Sequence, residues 1–395
     1  ACLVVATLTS AQPKPERCTN LRPKADLTGC LFINANLSGR DLRGVDLREV
    51  NLQGANLQGA NLDKALAGRA NFSRANLEGA TLTGNFEQAL FRSAKLSRAD
   101  GREGIFYGAD FSFADGSRIL LSKATLTGAF MVQANFAGAD FRQAAMAGVL
   151  AREANFRNAS LGRAFLANGV FYQAVFDQAV LLQANVTRAD FAEASLSGAN
   201  LSGAYLYETT FAAAKLPRVN FEDATFIRPR LADADFSGAR GMPPWVSESL
   251  LAGKFDPAQL TRAIQRGLKN VQGADVRNAD LTGLDLSDRD FSFADLSGAN
   301  LANVKLNNTS LLLGIARGTR FVGAILKDAV FAGTDLQDAV IEENYQKEAE
   351  VWGNLGQPKW VPRAPLPPPT PPAPPKPASE DAESPAATTP DAPQQ

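Results

Sequence analysis

The sequence predicts an all-β solenoid, in which the chain winds into stacked coils around one apolar core. The first observation is a five-residue period. Every fifth residue from Leu27 to Leu82, from Phe86 to Phe236 and from Val276 to Ile341 is almost always Leu, Phe or another apolar residue. The second is that this period matches neither an amphipathic strand nor an α-helix. The chain must therefore turn once in every quintet, and such an internal repeat indicates a solenoid.

A second position of each quintet, two residues before the apolar centre, is also expected to point inward. If each quintet forms one side of a square coil, little space remains near the axis, so small residues are expected there. A coil of four quintets then stacks each centre on the centre four quintets further on, and predicts one column of rings from Phe136, Phe156 and Phe176. The second inward position is occupied by Ala134, Ala139, Ala144, Ala154, Ala159, Ala164, Ala174, Ala179, Ala184, Ala189, Ala194, Ala199 and Ala204.

The detailed pattern is visible in two successive quintets, residues 55–59 (Ala-Asn-Leu-Gln-Gly) and 60–64 (Ala-Asn-Leu-Asp-Lys). It resembles the motif Ala-(Asp/Asn)-Leu-x-x of the pentapeptide repeat family. The resemblance covers most of residues 25–341 and implies a right-handed quadrilateral parallel β-helix. About 14 coils at about 4.8 Å each would give a rod about 70 Å long. The nominal inward position is occupied by Arg40, Arg289, Pro229 and Ile119 at four local departures from the motif, where a regular coil is not expected.

The composition excludes several classes of active site. The chain has 395 residues and no histidine. This excludes His-based general bases, Ser-His-Asp and Cys-His nucleophile systems, and zinc sites with a His ligand. The sequence also contains no P-loop, dinucleotide-binding or Cys-x-x-Cys motif. We therefore expect a protein that is not an enzyme, with no catalytic residue, no metal ligand and no cofactor.

The charges give no argument for a nucleic-acid partner. Lys plus Arg (40) nearly balances Asp plus Glu (41), and the net charge is −1. Asp and Asn recur directly before the apolar centres, for example Asp110, Asn135 and Asp140. Because they recur in every part of the repeat, we interpret them as side chains that satisfy backbone groups at turns and not as metal ligands.

Two interruptions divide the repeat. One residue is missing between Leu82 and Phe86, which predicts a shortened turn or a kink where the rod bends or loosens. Residues 240–273 are an insertion between β-helix segments at 25–239 and 274–341. Two prolines at 243–244 remove donors from the ladder between coils, so the coil cannot continue through them. Further along the insertion a helix is expected to begin, with Asp256 as its N-cap and Pro257 as its first residue.

Two interpretations of the insertion remain open. Its apolar stripe can pack back on the coil and close the break between the two segments. Alternatively, it can project and dock a partner protein, because aromatic and large apolar residues are typical of interface anchors. In the second case the contact residues are Trp245, Leu250, Leu251, Leu260, Ile264 and Leu268.

The carboxyl end is predicted to hold a cap and a tail. A helix over residues 342–356, with Tyr345 and Trp352 on one face, is expected to cover the last open coil. Most of the 22 prolines follow it. Residues 357–395 are therefore expected to form a proline-rich disordered tail. Within it, residues 363–368 (Arg-Ala-Pro-Leu-Pro-Pro) resemble a ligand of SH3-type domains, although such strings are also common in spacers.

Residues 1–11 resemble the end of a secretory signal peptide, with small residues at 9–11 as a cleavage site. An ordinary apolar terminus or an edge that caps the first coil is the alternative. Residues 12–24 are assigned to an N-terminal cap segment. Cys18 and Cys30 could form a disulfide at the start of the coil, or Cys30 could be a buried thiol at an inward position. A signal peptide would place the protein outside the cytoplasm, in the periplasm or secreted; without one it would be cytoplasmic.

Three functions are compared. The uniform repeat and the missing histidine favour a structural or interaction protein, a rigid rod that binds another protein as a subunit or accessory of a larger complex. Nucleic acid is not expected as a partner, and no transmembrane segment is expected. The family resemblance implies an alternative, a DNA mimic that binds a type II topoisomerase (DNA gyrase). The third is a β-helical polysaccharide-acting enzyme. A continuous negative stripe would favour mimicry, and a bare apolar patch would favour a protein partner.

Overall fold

The computed structural model describes residues 15–251, 254–349 and 352–362. The predicted signal segment, the first residues of the predicted N-terminal cap and most of the predicted tail lie outside these residues. The regular elements are α1 (Pro15–Thr19), β1 (Tyr205–Tyr207), β2 (Thr225–Ile227), α2 (Pro244–Ser247), β3 (Leu250–Leu251), β4 (Lys254–Phe255), α3 (Pro257–Arg266), β5 (Val340–Glu342), a 3-10 helix (Glu343–Tyr345), α4 (Gln346–Ala349) and β6 (Lys359–Val361).

On both sides of the insertion the chain forms a parallel β-helix. Residues directly before successive centres form parallel bridges from one coil to the next, for example Asp26 with Asp46 and Asn135 with Asn155. Between bridges the backbone turns through a left-handed residue two positions after the centre, such as Gln133 at φ 54°. The predicted stacking of each quintet on the quintet four repeats later is confirmed by these bridges.

The quintet 45–49 shows why the repeat has five residues. All five of its backbone N–H groups have an acceptor, as buried backbone requires. Three donate to neighbouring coils, one closes a turn within its own coil, and one donates to the side chain of Asp46. The bonds are Asp46 N to Ala25 O (2.9 Å), Leu47 N to Leu66 O (2.7 Å), Glu49 N to Gly68 O (3.0 Å), Val45 N to Leu42 O (3.2 Å) and Arg48 N to Asp46 Oδ1 (3.2 Å).

The core consists of the apolar centres and the small residues beside them. Phe136, Phe156 and Phe176 are fully buried. Their rings stack in the predicted column, with centroid distances of 5.7 Å and then 4.7 Å. Alanines at the second inward position, such as Ala154, are buried with them. Each large centre contributes about 1.5–3 kcal/mol of transfer free energy, so the stability of the fold comes from repetition of one small contact set.

The coil that lacks one residue keeps its hydrogen bonds. Asn85 N donates to Ala65 O at 2.8 Å, and Phe86 N donates to Ile105 O at 2.7 Å. A Cβ atom on Gly84 would lie 2.4 Å from Ala65 O, so only glycine can close this shortened turn. Of the two predicted outcomes, the structure therefore has the shortened turn, and the expected loosening of the ladder does not occur.

The insertion packs back on the coil. The side chain of Asp256 accepts a hydrogen bond from Ala258 N at 2.8 Å, and α3 begins at Pro257, where the sequence places its start. Leu260 and Ile264 of α3 are buried in the same apolar cluster as the coil centres. The ring of Trp245 meets Phe226 of the coil edge-on, with centroids 6.5 Å apart. The insertion thus closes the gap between the two coil segments.

Arg289 explains how the second coil segment holds α3. Its guanidinium donates to Ile264 O at 2.7 Å and to Leu268 O at 3.0 Å, which are carbonyls at the end of the helix. It also donates to Asp285 O at 3.1 Å. Burial lowers the pKa of Arg289 from its ordinary value. The residue that departs from the motif therefore supplies a charged donor to carbonyls at the end of α3, although Ile264 O also accepts from Gly267 N at 3.1 Å.

We expect Arg289→Ala to loosen α3 selectively. Losing bonds from a charged donor to several carbonyls should cost about 1–3 kcal/mol and increase amide hydrogen exchange in residues 257–268. Arg317→Ala is the matched control, because Arg317 pairs with Asp335 on the surface and its side chain is 65% exposed. Equal exchange in the two variants would contradict this role for Arg289.

The carboxyl end differs from the single helix expected over 342–356. The chain instead forms β5, the 3-10 helix and α4, because tertiary contacts tie it back to the coil. The Tyr345 hydroxyl donates to Ala324 O at 3.0 Å and accepts from Leu326 N at 3.2 Å. The ring of Trp352 stacks on Phe331 with centroids 4.4 Å apart.

The start of the predicted tail also differs. The sequence assigns residues 357–395 to the tail, whereas Lys359–Val361 form β6, which pairs in parallel with β5. Trp360 is partly buried against the core cluster, which explains why these residues continue the ladder. Residues from 363 onward lie outside the described part of the chain.

At the amino end, Cys18 and Cys30 are joined by a disulfide, with Cα atoms 5.7 Å apart. Cys18 lies in α1, and Cys30 occupies an inward position of the first coil, where it is fully buried. The bond therefore ties the segment before the repeat to the first coil. Because each coil contacts only its neighbours, this staple acts on the end of the stack and not on its middle.

Reduction of this disulfide should raise hydrogen exchange in residues 20–45 and leave residues 105–165 unchanged. Loop closure of this length contributes at most about 3 kcal/mol, and the effect is confined to neighbouring coils. The double variant Cys18→Ser, Cys30→Ala is the control and should not respond to reductant, since alanine suits the inward position. Alkylation of both cysteines in the unreduced, denatured protein would contradict the pairing.

Candidate protein-binding face

One side of the coil is free of charge over a long stretch. Along each side, the residues directly before and directly after the buried centre lie on the outer surface of the coil, where most are exposed or half-buried and a few small ones, such as Ala167, are covered. We name the stretch of one side between residues 105 and 227 the apolar face; it contains no charged residue at these positions. They are Ile105, Tyr107, Thr125, Thr127, Ala145, Ala147, Phe165, Ala167, Asn185, Thr187, Tyr205, Tyr207, Thr225 and Ile227.

Large side chains on this face project into solvent. Ile105 is 42% exposed, Tyr107 48%, Phe165 46% and Tyr205 40%. The rings of Tyr205 and Tyr207 lie parallel, with centroids 6.4 Å apart. Small residues occupy the coils between these side chains, so the surface has ridges and depressions. Large exposed apolar side chains that recur along one side of a coil are a candidate interaction surface.

The apolar face is costly for the coil itself. Elsewhere, Asp or Asn before the centre accepts a hydrogen bond from the backbone N–H two residues on, as Asp190 does from Ala192 at 2.9 Å. Within the described stretch 105–225 of this column, Asn185 alone makes that bond. Residues such as Phe165 and Tyr205 give it up, at about 0.5–1.5 kcal/mol per bond. Coil stability therefore does not account for them.

The opposite side of the same coils has a different character. Its column before the centres consists mostly of polar or charged residues, and Arg157 pairs there with Asp177 at 2.9 Å. The contrast shows that the apolar face is local and is not a property of the repeat. The opposite column is Asp115, Asn135, Asn155, Val175, Ser195, Lys215 and Asp235.

An ion-pair cluster fixes one edge of the face. Glu208 pairs with Arg188 at 2.7 Å and with Arg228 at 3.1 Å. Arg228 also donates to the Tyr207 hydroxyl, and its guanidinium lies over the Tyr207 ring, 4.9 Å from the centroid. Burial alone would raise the pKa of Glu208, but the hydrogen bond from Arg188 and the nearby charges lower it below its ordinary value. Tyr207 is thus held in place beside Tyr205.

Acidic residues elsewhere do not form a continuous stripe. In the described columns before the centres, no more than two acidic residues follow one another from coil to coil. Several are neutralised by an arginine two residues on, and the hydrogen bond from Arg102 lowers the pKa of Asp100. The pairs are Asp41–Arg43 (2.7 Å), Asp46–Arg48 (2.6 Å), Asp100–Arg102 (2.7 Å), Asp140–Arg142 (2.7 Å) and Asp275–Arg277 (2.5 Å).

The contact residues expected in the insertion are not brought to the surface. Trp245, Leu260, Ile264 and Leu268 are buried against the coil and α2, so a partner could reach them only if the insertion opened. The side chains of Leu250 and Leu251 lie outside the described residues. Sequence reasoning missed the apolar face because a single apolar residue before a centre is unremarkable. The sequence does contain a signal for this face, but it appears only when the residue at one repeat position is compared from each coil to the next.

The described residues contain no group of three or more Asp, Glu or Cys side chains placed to hold a metal ion. None of the described helices has the length and apolar character that crossing a membrane requires. The arrangement on the apolar face therefore offers apolar contact, aromatic stacking and tyrosine hydroxyls.

A parallel coil of four quintets, with an apolar centre and a small neighbour in each, defines the class of β-helical repeat proteins. The family model for pentapeptide repeats matches in eight copies, and the matched ranges include residues 25–63, 46–84, 85–115, 117–150, 170–206, 204–240 and 270–308. These ranges cover more than half of the chain, so the chain belongs to the pentapeptide repeat family. The resemblance is confirmed, and with it the right-handed β-helix. No catalytic family is indicated.

Solved structures similar to this chain are pentapeptide repeat proteins as well. HetL of the cyanobacterium Nostoc sp. strain PCC 7120, involved in regulation of heterocyst differentiation, is 23% identical over 77% of this chain and 90% of its own, with a TM-score of 0.21. QnrB1, a plasmid-mediated fluoroquinolone resistance protein, is 18% identical over 55% of this chain and 96% of its own, with a TM-score of 0.28. No functionally curated protein matches. At these identities no functional residue is transferred.

We expect Phe165→Asp to leave the coil as stable as before, or slightly more stable. An aspartate there can accept the Ala167 N–H, as Asp190 accepts that of Ala192. Phe156→Asp is the contrasting variant, since Phe156 is fully buried and an unpaired carboxylate there should cost several kcal/mol. Thermal unfolding followed by circular dichroism separates them, and similar losses in both variants would make Phe165 a structural residue.

Proposed function

We propose that this protein is a non-enzymatic binding protein, a rigid β-helical scaffold that holds another protein against its apolar face within a larger assembly. The observation that carries the proposal is the stretch of uncharged solvent-side positions between Ile105 and Ile227. An enzyme active site needs polar groups that converge on one point, whereas this surface offers mainly apolar contact area. Such a surface contributes binding free energy when a partner removes it from water.

The rigidity of the coil supports the proposal. The backbone beneath the face is fixed by hydrogen bonds to both neighbouring coils, so little conformational entropy is lost when a partner binds. Tyr207 is held by Arg228 and Arg188 before any partner arrives. Tyrosine is enriched among residues that dominate binding energy, because it supplies a large apolar ring and a hydroxyl on a side chain with few rotamers.

The DNA-mimic alternative has less support. It requires a band of negative charge that resembles duplex DNA, and the acidic columns are short and interrupted by arginines such as Arg43 and Arg142. The polysaccharide-acting enzyme has no specific observation in its favour. We therefore rank the protein-binding function first, with a type II topoisomerase as the partner to test if no other is found.

The finer architectural predictions belong to the same proposal. We infer that residues 343–349 and Trp352 cap the last coil, supported by the contacts of Tyr345 and Trp352. About 14 coils remains the expected number at this repeat length. An extracytoplasmic location is supported by the Cys18–Cys30 bond, because disulfides persist mainly in oxidising compartments.

The test is recovery of partners from the native cells with a tagged chain. Phe165→Asp combined with Tyr205→Asp should lower recovery at least about tenfold, because a charge buried unpaired in an interface costs more than about 1.4 kcal/mol. The matched control is Ser160→Asp with Asn200→Asp, which adds the same charge at the same repeat position, two coils apart, on a neighbouring side. Unchanged recovery with the first variant would overturn the proposal.

A further inference from the structure

The outer residues of the apolar face read the same in both directions along the stack. In the six coils whose centres run from residue 106 to residue 206, the residues directly after the centres are Tyr, Thr, Ala, Ala, Thr and Tyr. The midpoint of this order lies between the third and the fourth coil, and each residue has an identical residue at the same distance on the other side of it. These residues are Tyr107, Thr127, Ala147, Ala167, Thr187 and Tyr207.

The residues directly before the centres show the same symmetry in a complementary form. Large exposed side chains stand at both ends of the six coils, and small polar side chains come next. Nearest the midpoint, a small residue on one half corresponds to an exposed ring on the other. The pairs across the midpoint are Ile105 with Tyr205, Thr125 with Asn185, and Ala145 with Phe165.

The two corners beside the face complete this pattern. On the corner that follows the face, glycines occupy one half and bulky residues the other. A Cβ atom added to Gly128 or Gly148 would meet no atom within 4 Å, so the glycine half is open surface. None of the corner pairs joins two like charges. They are Gly108 with Glu208, Gly128 with Arg188 and Gly148 with Asn168 on this corner, and Glu103 with Gly203, Lys123 with Gln183 and Gln143 with Arg163 on the other.

We propose that the apolar face pairs with the apolar face of a second copy of this chain, in an antiparallel dimer whose two-fold axis passes between Ala147 and Ala167. The inference rests on the proposed binding role of the face and names its partner. A two-fold interface is isologous, so a residue that contacts another in the second copy is contacted by that other residue in return. An order that reads the same in both directions meets this requirement in every coil, whereas a partner of different sequence does not need it.

The spacing of the coils also favours a second copy. Two β-helices share a spacing of about 4.8 Å, so the six coils of both copies stay level over the about 24 Å from the first to the last. An α-helix has a pitch of about 5.4 Å and would drift from the coils by about 3 Å over the same length. The side chains of a helix would therefore match only part of the face.

The pairing removes the exposed rings of the face from water. The ring of Phe165 in each copy comes over Ala145 of the other, where the small side chain leaves room for it. Tyr107 meets Tyr207 of the second copy, whose ring Arg228 already holds in place. Aromatic side chains bury about 150–250 Å² each and make the largest contributions to interfaces. The glycine half of the corner likewise faces the bulky half of the second copy.

Sedimentation velocity of the full chain over a concentration series tests self-association. A face about 24 Å long and about 10 Å wide is smaller than the about 800 Å² per partner of a standard interface, so the wild type should form a dimer that dissociates on dilution. Ala147→Asp should weaken the dimer at least about tenfold, because the two-fold axis brings the new carboxylates of both copies together. Ala137→Asp is the matched control: Ala137 also directly follows its centre and is half-buried, but lies on the opposite side of the coil, and its substitution should leave the dimer unchanged.

Crosslinking tests the direction of the pairing. In a chain that carries Cys2→Ser, Asn85→Cys and Thr225→Cys are prepared as separate variants, since these positions lie just outside the six coils at opposite ends of the face. A short bismaleimide should link the two variants when they are mixed. It should link neither variant to itself, because identical residues lie seven coils, about 34 Å, apart along the stack. In a parallel dimer Asn85→Cys alone would be linked.

The inference is overturned if the wild type stays monomeric, if the two aspartate variants dimerise equally, or if Asn85→Cys alone is crosslinked. The proposed function is judged separately, by recovery of partners from the native cells. If a different protein is recovered, and Phe165→Asp with Tyr205→Asp lowers its recovery while the wild type is monomeric, the binding role stands and only the second copy is excluded.

Discussion

The structure depends on one constraint: most backbone N–H groups of a quintet need an acceptor in the neighbouring coil. This requirement restricts the number of residues per coil, because the N–H of a centre such as Leu47 reaches the Leu66 carbonyl only if the coil closes after the right number of residues. It also fixes which side chains point inward. A coil one residue short survives at Gly84 because a residue without Cβ can bring the turn against Ala65 O.

The same constraint leaves the position before each centre adjustable. Asp46 supplies one acceptor there, and replacing such a residue gives up that one bond, at about 0.5–1.5 kcal/mol, while the bonds between coils remain. Phe165 and Tyr205 use this freedom. A surface can therefore be specified coil by coil without changing the core, and this explains how an apolar face coexists with a uniform repeat.

Sequence reasoning could find what is local or periodic. The inward positions, the stacking of Phe136 on Phe156 and the start of α3 at Pro257 all follow from spacing or capping chemistry. It could not find what depends on distant neighbours. In the sequence Arg289 is only a departure from the motif, because its hydrogen bonds to the end of α3 depend on the fold. Trp245 was an ambiguous signal, because a large aromatic residue is typical both of a core and of an interface.

A repetitive face raises a problem of register, since a partner bound to identical coils could shift by one coil, about 4.8 Å, at little cost. The apolar face avoids this by uneven spacing. Three coils separate Ile105 from Phe165, and two separate Phe165 from Tyr205. The Arg228–Glu208 pair and the wall at Met242 and Pro243 then end the face. A shift by one coil would move apolar contacts onto small residues and push the partner against that wall, so the insertion contributes specificity even though its own apolar side chains are buried.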